Sequence, residues 1–313
     1  MEMQAECDMR TTPLSPFLAI HRHLVERRGL DLSRYKESYL KRRILVRVRA
    51  LRLAGLDQYA LYLKRHPEEI GPLQKALSIK VTGFFRNRSC FDFLRAKVVP
   101  DLLRRSAARH HRVAVWSAGC ATGEEPYSLA ALFAAVLDGE GPRADASSEA
   151  RRAPRRPPRV LITGTDLDEA ALERARRASF AAAGLLGAIP ADVAHHFEER
   201  PDGMVSPAER LRRMVRFERE SLLDPFPHRD LDLIVCRNVL IYFSLEHQER
   251  ILARFAQALS EGGYLVLGRV ERLFGPARAF FEVASARDRV YRRLSGEPPV
   301  EEAGAPPREA SCA

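Results

Sequence analysis

One short stretch constrains the fold of this chain more than any other. An apolar run, Val113 to Trp116, leads into the sequence SAGCATGEEPYS at residues 117–128. Small residues and glycines between a predicted strand and a predicted helix are typical of the loop that holds a nucleotide in an open α/β sheet. Ligands of such sheets bind outside the carboxyl ends of the strands, beside this loop. The sequence therefore predicts a mostly parallel sheet with a ligand at residues 117–128.

Four short apolar runs, each followed by a turn, predict strands of that sheet. They are VAVWSA at 113–118, VLITGT at 160–165, LDLIVC at 231–236 and YLVLG at 264–268. Runs of this kind, rich in β-branched residues, suit buried parallel strands, and the helical stretches between them suit crossover connections. FFEVAS at 280–285 and DRVYRRL at 288–294 predict a closing antiparallel hairpin. The expected fold class is therefore α/β.

The first third of the chain has a different pattern, which predicts helices only. The predicted helices run from Pro16 to near Gly29, from Ser33 to Gly55, over 57–64, over 68–77 and from Asn87 or Ser89 to Val98. Along the longest of them apolar residues recur at helical spacing, and basic residues, among them Arg42, Arg43 and Arg47, occupy the other face. Residues 15–105 therefore predict a basic helical domain.

Positive charge is concentrated in this helical part. Residues 1–105 contain 22 Lys and Arg against 11 Asp and Glu, whereas the rest of the chain contains 29 against 30. A basic patch of this kind fits an acidic partner, which can be a nucleic acid, an anionic membrane surface or an acidic protein. The alternative is that an arginine-rich composition simply places arginine on solvated faces.

Cysteine use and hydropathy exclude several classes of protein. The five cysteines are scattered and form no CxxC pair, which favours reduced thiols over disulfides or a metal site. The longest apolar run, at 129–137, is about half of what a membrane span needs. Residues 1–10 lack the basic start and apolar core of a secretory signal. We therefore expect a cytoplasmic protein that does not insert into a membrane.

Three segments are predicted to be disordered. Residues 138–159 are rich in Pro, Arg and Ser, have no apolar periodicity, and lie where a short loop would connect a helix to the next strand. Residues 1–14 and 295–313 are the start and the tail of the chain. The sequence therefore predicts an ordered region at 15–294 with one surface insertion.

The charges around the loop restrict its ligand. Glu124 and Glu125 stand at the start of a helix, where they would repel a pyrophosphate, although carboxylates there also pair with the helix dipole. The second strand ends at Asp166, an acid that in such sheets accepts hydrogen bonds from ribose hydroxyls, whereas Asp168 suits a helix N-cap. Together these residues indicate a ligand with a ribose and a cationic end but no phosphate. S-adenosylmethionine fits this description and NAD does not.

At this point the motifs resemble a known family. The matching stretches are YKESYLKRRI at 35–44, TGFFRN at 82–87, SAGCATGEEPYSLA at 117–130, TGTDLDEAALERAR at 163–176 and DLIVCRNVLIYFSLEHQERILARFAQALSEGGYLVLG at 232–268. In this order, over roughly residues 15–294, they resemble the CheR-type chemoreceptor glutamate methyltransferases. Each motif is moderately specific by itself, and the ordered set is highly specific.

The resemblance implies a class I S-adenosylmethionine-dependent methyltransferase fold. Such a fold has a Rossmann-like seven-stranded sheet of order 3-2-1-4-5-7-6 with an antiparallel strand seven, here preceded by the N-terminal helical domain. The strands proposed above agree with this order if Met214 to Phe217 is the third strand. The implied organisation is a helical domain at 15–105 and a methyltransferase domain at 106–294, with a small inserted β-subdomain near 195–217.

The resemblance also implies site residues. The cofactor contacts of the family correspond here to Lys80, Thr82, Arg86, Glu124, Asp166, Ser221, Leu222, Arg237 and Asn238. Glu124 is expected at the methionine end of S-adenosylmethionine, Asp166 at its ribose, and Tyr242 beside the methyl group. Arg86 is expected to serve a carboxylate of the cofactor or of the substrate, which makes Arg86 and Tyr242 the candidate catalytic residues. S-adenosylhomocysteine is the expected product, and no metal is expected.

Three positions depart from the usual residues of that family. Lys80 and Ser221 each stand where the family has Asn, and Arg269 lies in the turn that follows the fifth strand. Ser221 keeps a hydroxyl for the adenine, and Lys80 adds a cation near a site that binds a sulfonium. These departures bear on catalytic efficiency rather than on fold. They leave open a diverged, non-catalytic protein that binds S-adenosylmethionine or S-adenosylhomocysteine as a sensor or scaffold.

The implied reaction is methylation of glutamate side chains of chemoreceptors, which gives methyl esters. It needs no catalytic base, because a glutamate of pKa about 4.3 is already ionised at neutral pH. The basic face with Arg42, Arg43 and Arg47 is then expected to bind the acidic helical cytoplasmic domain of the receptor. A nucleic-acid substrate is not expected, because CRNVLIYF at 236–243 replaces the D/N-P-P-Y/F/W loop of amino-group methyltransferases. A monomer is expected.

Overall fold

The computed structural model describes residues 15–28, 32–77, 82–108, 110–139, 157–182, 185 and 187–296. The chain forms two compact units, which divide between Ile79 and Lys80. Lys80 itself lies outside the described residues, as do 1–14, 140–156 and 297–313, which make up most of the three segments with predicted disorder.

The first unit consists of helices. They are α1 (Pro16–Arg28), α2 (Glu37–Ala50), α3 (Leu56–Arg65) and α4 (Ile70–Leu77). Its core is made of fully buried aliphatic side chains, among them Ile20, Ile44 and Leu63. The longest helix begins after Lys36, so Ser33 is not its N-cap. Leu45 of this helix is an exposed apolar residue.

The second unit contains ten strands and six α-helices within the described residues. The strands are β1 (Arg112–Ala118), β2 (Arg159–Asp166), β3 (Phe180–Ala181), β4 (Phe197–Glu199), β5 (Met204–Pro207), β6 (Val215–Arg219), β7 (Leu231–Cys236), β8 (Leu259–Leu267), β9 (Phe281–Ser285) and β10 (Val290–Arg293). The helices are α5 (Arg88–Phe93), α6 (Val99–Arg105), α7 (Glu124–Leu137), α8 (Glu169–Arg177), α9 (Glu209–Met214) and α10 (Leu245–Ala258).

Seven of these strands form one sheet, in the order β6-β2-β1-β7-β8-β10-β9. The first five are parallel to their neighbours, and β10 pairs antiparallel with both β8 and β9. With β6 as the third strand, this is the order expected from the sequence, and the fold prediction is confirmed. The central strand β7 is buried along its whole length, as a strand covered by helices on both faces should be.

The division between the units lies earlier than the predicted boundary at residues 105 and 106. Helices α5 and α6, joined by a π-helical turn at Leu94–Val98, belong to the second unit. The side chains of Phe91 in α5, Leu94 in this turn and Leu102 in α6 share one buried cluster with Val115 of β1 and Phe133 of α7. The helix predicted up to Val98 was placed in the first unit because sequence periodicity detects helices and not the core that they join.

The small antiparallel sheet also differs from its predicted range of 195–217. Its strands have the order β3-β5-β4 and run from residue 180 to residue 207. The end of the predicted range forms α9 and the start of β6, which belongs to the main sheet. Among the helices described here, none is long and apolar enough to cross a membrane.

Candidate active site

The parallel strands of the second unit end at one edge of the sheet, and the loops that follow them carry most of the predicted site residues. Asp166 ends β2, and the others follow β1, β6 or β7: Glu124, Ser221, Leu222, Arg237, Asn238 and Tyr242. The carboxyl ends of parallel strands form the ligand-binding edge of an open α/β sheet. The topology therefore brings these residues to a common region.

The loop after β1 makes a close turn that depends on glycine. Gly119 and Gly123 have φ values of +77° and +96°, in the left-handed region that side chains disfavour. The Gly119 and Cys120 amides both donate to the Thr165 carbonyl oxygen, at 2.8 and 2.9 Å. A Cβ atom at Gly119 would lie 2.5 Å from a methyl group of Val239 in the loop after β7. The two loops therefore approach each other as closely as the backbone allows.

Glu124 is a partly buried carboxylate at the first turn of α7. Burial raises the pKa of Glu124, and hydrogen bonds to the hydroxyls of Thr122 and Thr82 oppose this rise. The Thr122 hydroxyl donates to Glu124 Oε2 at 2.7 Å. Within the described part of the chain Glu124 forms no ion pair. A carboxylate that is held by hydroxyls and lacks a cation fits a ligand with a cationic end.

Asp166 is held in place by main-chain amides at the end of β2. Its Oδ2 accepts a hydrogen bond from the Ala121 amide at 2.9 Å, and its Oδ1 accepts one from the Asp168 amide at 2.9 Å. Burial raises the pKa of Asp166, and these backbone hydrogen bonds oppose it. Each carboxylate oxygen can accept a further hydrogen bond, which suits the two hydroxyls of a ribose. Asp168 caps α8 through the Ala171 amide at 3.2 Å, as predicted.

The loops after β6 and β7 complete the same edge. The Glu220 amide donates to the Asp166 carbonyl oxygen at 3.1 Å, so the loop with Ser221 and the buried Leu222 starts beside Asp166. Asn238 has a buried Oδ1 that accepts no hydrogen bond from any residue described in the structure. A buried acceptor of this kind requires a donor, which a bound ligand can supply.

These features fit a cofactor that has a cationic end, a ribose and a hydrogen-bond donor. Two family models match the chain: the CheR methyltransferase, SAM binding domain, over residues 80–290, and the CheR methyltransferase, all-alpha domain, over residues 16–78. This chain belongs to the CheR methyltransferase family. The second unit is a CheR S-adenosylmethionine-binding domain, and its cofactor is S-adenosylmethionine.

Curated relatives agree with this assignment over most of their length. A chemotaxis protein methyltransferase of Listeria innocua is 34% identical over 249 residues, which cover 80% of this chain and 87% of the relative. One of Salmonella typhimurium is 31% identical over 277 residues, covering 84% and 86%. The structure of PKMT2 from Rickettsia typhi in complex with AdoHcy has a TM-score of 0.32 at 14% identity and covers 61% of this chain and 26% of that chain.

Arg237 of the CheR motif CRN directs its guanidinium into the protein. Its side chain is 3% exposed and pairs with Glu125, with 3.2 Å between Nη1 and Oε2. It also donates to the Arg86 carbonyl oxygen and lies over the Phe91 ring, 5.3 Å from the centroid. The predicted contact of Arg237 with the cofactor would therefore have to come from the main chain of Arg237. The side chain joins α7, α5 and the segment before α5.

The CheR segment that contains Thr82 and Arg86 is hydrogen-bonded to α7. Phe85 and Asn87 have left-handed φ values of +47° and +64°, which fold the segment tightly. The Phe85 amide donates to the Ser128 hydroxyl at 3.0 Å, and this hydroxyl donates to the Glu124 carbonyl oxygen at 2.6 Å. Arg86 is partly buried. Tyr242, also partly buried, ends the 3-10 turn Leu240–Tyr242.

Sequence reasoning missed the roles of two buried carboxylates, Glu125 and Glu271. The sequence predicted Glu125 only as a carboxylate at the start of a helix. Burial raises its pKa, Arg237 opposes the rise, and the Ser117 hydroxyl donates to it at 2.8 Å. Glu271 is 4% exposed and accepts hydrogen bonds from main-chain amides. The internal partners of both carboxylates, Arg237 for Glu125 and the amides after β7 for Glu271, are distant in the sequence, so no local pattern indicates them.

In the first unit, the three predicted substrate-binding arginines of α2 have different surroundings. Arg47 forms a two-point ion pair with Glu69, at 2.7 and 2.9 Å, and the Tyr59 hydroxyl donates to the same carboxylate at 3.0 Å. The Arg43 Nε donates to the carbonyl oxygen of Ala76 in α4. Arg42 is the exposed one of the three. Arg43 and Arg47 thus support the helical unit.

Proposed function

We propose that this chain methylates glutamate side chains of chemoreceptor cytoplasmic domains, with S-adenosylmethionine as methyl donor. Membership of the CheR methyltransferase family over both units supports methylation in chemotaxis. The exposed face of α2 is the single observation that supports an acidic helical substrate.

The bound cofactor supplies a methyl group that is activated by its sulfonium charge. Residues of the chain have three tasks around it. Glu124 and Asp166 hold the cationic and ribose parts, Arg86 orients the attacking carboxylate, and Tyr242 lies beside the methyl group. The glutamate is ionised without a base, so orientation and exclusion of water supply the catalysis. A partly buried site favours a reaction in which opposite charges are neutralised.

The exposed face of α2 supports recognition of an acidic helix. Arg42, Leu45, Val46 and Arg49 stand at positions i, i+3, i+4 and i+7, which lie on one side of a helix. Leu45 and Val46 are 37% and 42% exposed. Two arginines that flank two exposed apolar side chains complement a helix with both carboxylates and apolar residues. We call these four residues the α2 docking face.

Transfer of a labelled methyl group to a purified receptor cytoplasmic domain tests the proposal. We expect base-labile label on the receptor, and loss of label when the receptor glutamates are replaced by glutamine. Binding of S-adenosylmethionine without transfer would contradict the proposal and favour the scaffold alternative. Label that resists base would indicate a different acceptor.

Charge reversal on the α2 docking face tests substrate recognition. We expect R42E to raise the KM for the receptor domain about 3- to 10-fold, because an exposed ion pair contributes about 0.2–1 kcal/mol and reversal turns attraction into repulsion. The Kd for S-adenosylhomocysteine should stay unchanged. R47M serves as the contrast, since loss of its pair with Glu69 should lower the unfolding temperature. Equal loss of receptor and cofactor binding in R42E would contradict the assignment of this face.

A further inference from the structure

The buried carboxylate of Glu271 binds four main-chain amides from two loops. Its Oε1 accepts hydrogen bonds from the amides of Val239 and Leu240, both at 2.8 Å. Its Oε2 accepts them from Asn238 at 2.9 Å and from Gly268 at 2.6 Å. Glu271 follows β8, whereas three of the four donors follow the neighbouring strand β7. One side chain thus joins two adjacent loops at the ligand-binding edge.

The backbone around these amides has the geometry of an anion-binding nest. Asn238 has a left-handed φ of +61°, and Val239 follows with φ −118° and ψ −46°. Alternation of left- and right-handed conformations makes successive N–H groups converge on one point, where they bind an anion. Here the anion is Glu271 of the same chain. The nest is therefore already filled, and its role is to fix the loop.

Close packing surrounds the filled nest. A Cβ atom at Gly268 would lie 2.6 Å from Glu271 Oε2 and 2.8 Å from the Asn238 amide nitrogen, so a larger residue at this position would push the two loops apart. On the other side, the Val239 side chain fills the space next to Gly119 in the loop after β1. A shift of the nest would therefore move the loop after β1 as well.

The same loop carries Tyr242. The Tyr242 amide donates to the Val239 carbonyl oxygen at 3.2 Å, and the Phe243 amide donates to that of Leu240 at 3.1 Å. The 3-10 turn that ends at Tyr242 therefore starts from the residues that Glu271 holds. Fixing Val239 and Leu240 fixes the start of this turn and, through it, the backbone of Tyr242.

We propose that Glu271 is a positioning residue for methyl transfer: its carboxylate fills the nest of Asn238, Val239 and Leu240 and thereby sets the position of Tyr242. The part that concerns catalysis rests on the proposed function, in which Tyr242 lies beside the methyl group. The part that concerns the nest does not, and the two can be tested separately.

The first measurement is amide hydrogen exchange of E271Q. In this variant an NH₂ group replaces one carboxylate oxygen and faces main-chain donors, so at least two hydrogen bonds are lost. We expect exchange at residues 238–240, 242, 243 and 268 to become at least about tenfold faster, with β7 and β8 still protected. The matched control is E246Q, which removes an exposed carboxylate paired with Arg250 on α10 and should leave these amides unchanged.

The second measurement is the kinetics of methyl transfer at a temperature where E271Q is fully folded. We expect kcat to fall about 10- to 100-fold, because a displacement of about 1 Å at a reacting group costs up to about 100-fold. The KM for S-adenosylmethionine should change less than kcat. A purely structural role would lower the unfolding temperature and leave kcat of the folded enzyme near the wild-type value.

Formate provides a chemical test of the filled nest. In E271A the nest loses its carboxylate, and added formate should restore exchange protection at residues 238–240 and raise kcat in a saturable way, whereas chloride at equal ionic strength should not. Wild-type exchange rates in E271Q, together with no rescue of E271A by formate, would overturn the proposal. If the wild-type chain transferred no methyl group, the proposed function would fail. Amide hydrogen exchange of E271Q, and its change in E271A on addition of formate, would still test whether Glu271 holds the loop.

Discussion

Replacement of Arg237 by methionine measures how far one buried ion pair holds the site together. The Arg237 and Glu125 side chains are 3% and 15% exposed. Methionine keeps the apolar stem of arginine and removes its charge. Removal of one partner of a buried pair costs about 3–5 kcal/mol, because the remaining charge has no compensation. We expect R237M to lose stability in this range at about pH 8.

The contacts of Arg237 account for this magnitude. The Arg86 carbonyl oxygen loses its hydrogen bond from the guanidinium, and a hydrogen bond to a charged group contributes about 1.5–3 kcal/mol. Loss of the contact with the Phe91 ring costs about 0.5–2 kcal/mol. The uncompensated charge of Glu125 supplies the remainder, and this part should depend on pH.

The sign of the pH dependence follows from the pKa of Glu125. Burial raises this pKa and Arg237 opposes the rise, so R237M should move the folded-state pKa further above the unfolded value. A carboxyl group with a raised folded-state pKa binds more protons in the folded than in the unfolded protein, and it stabilises the fold as the pH falls. The stability deficit of R237M should therefore shrink between about pH 8 and about pH 5.

Urea unfolding followed by tryptophan fluorescence is a suitable assay. Trp116 is the single tryptophan and lies fully buried in β1, so its signal reports the second unit. The double variant E125Q/R237M should recover part of the loss, because it leaves no buried charge behind. Arg293, a buried arginine that donates to the main-chain carbonyls of Ala256 and Gly296, provides the control R293M, whose deficit should not shrink at low pH. Additive losses in the double variant, or a pH-independent deficit in R237M, would refute the argument.

Two further predictions concern the loop after β1 and the buried cysteine thiols. G119A should raise the Kd for S-adenosylhomocysteine at least about tenfold in calorimetry, because the added Cβ atom would strain the backbone and collide with Val239. The control is G139A, which has a similar φ of +80° but open space around the Cβ position and should leave this Kd unchanged. Burial raises the pKa of Cys90 to about 11, and that of Cys120 well above its usual value. We expect both thiols to resist iodoacetamide in the native protein by mass spectrometry, and rapid alkylation would show that the fold opens at these positions.

The sequence was sufficient for the positions of the main strands because these depend on local patterns, whereas the strand order was expected from the resemblance to a known family. Buried parallel strands are continuous apolar runs, and LDLIVC at 231–236 coincides with β7. The unit boundary was predicted too late, because the helix predicted up to Val98 has the periodicity of any amphipathic helix. Only the packing of Phe91 in α5 and Leu102 in α6 into the core around β1 assigns these helices to the second unit. Membership of a core is a long-range property, which a local pattern does not contain.

The candidate site shows the same limit at the level of single residues. The motif GEEPYS contains two adjacent glutamates, and adjacent residues of a helix point about 100° apart. Glu124 therefore meets the hydroxyls of Thr122 and Thr82, while Glu125 meets Arg237, 112 positions later in the chain. A carboxylate in a loop motif indicates a cationic ligand only when no internal cation reaches it. Glu124 and Glu125 can thus be told apart only after the strands have been placed side by side, since that arrangement brings the loop after β7 to the start of α7.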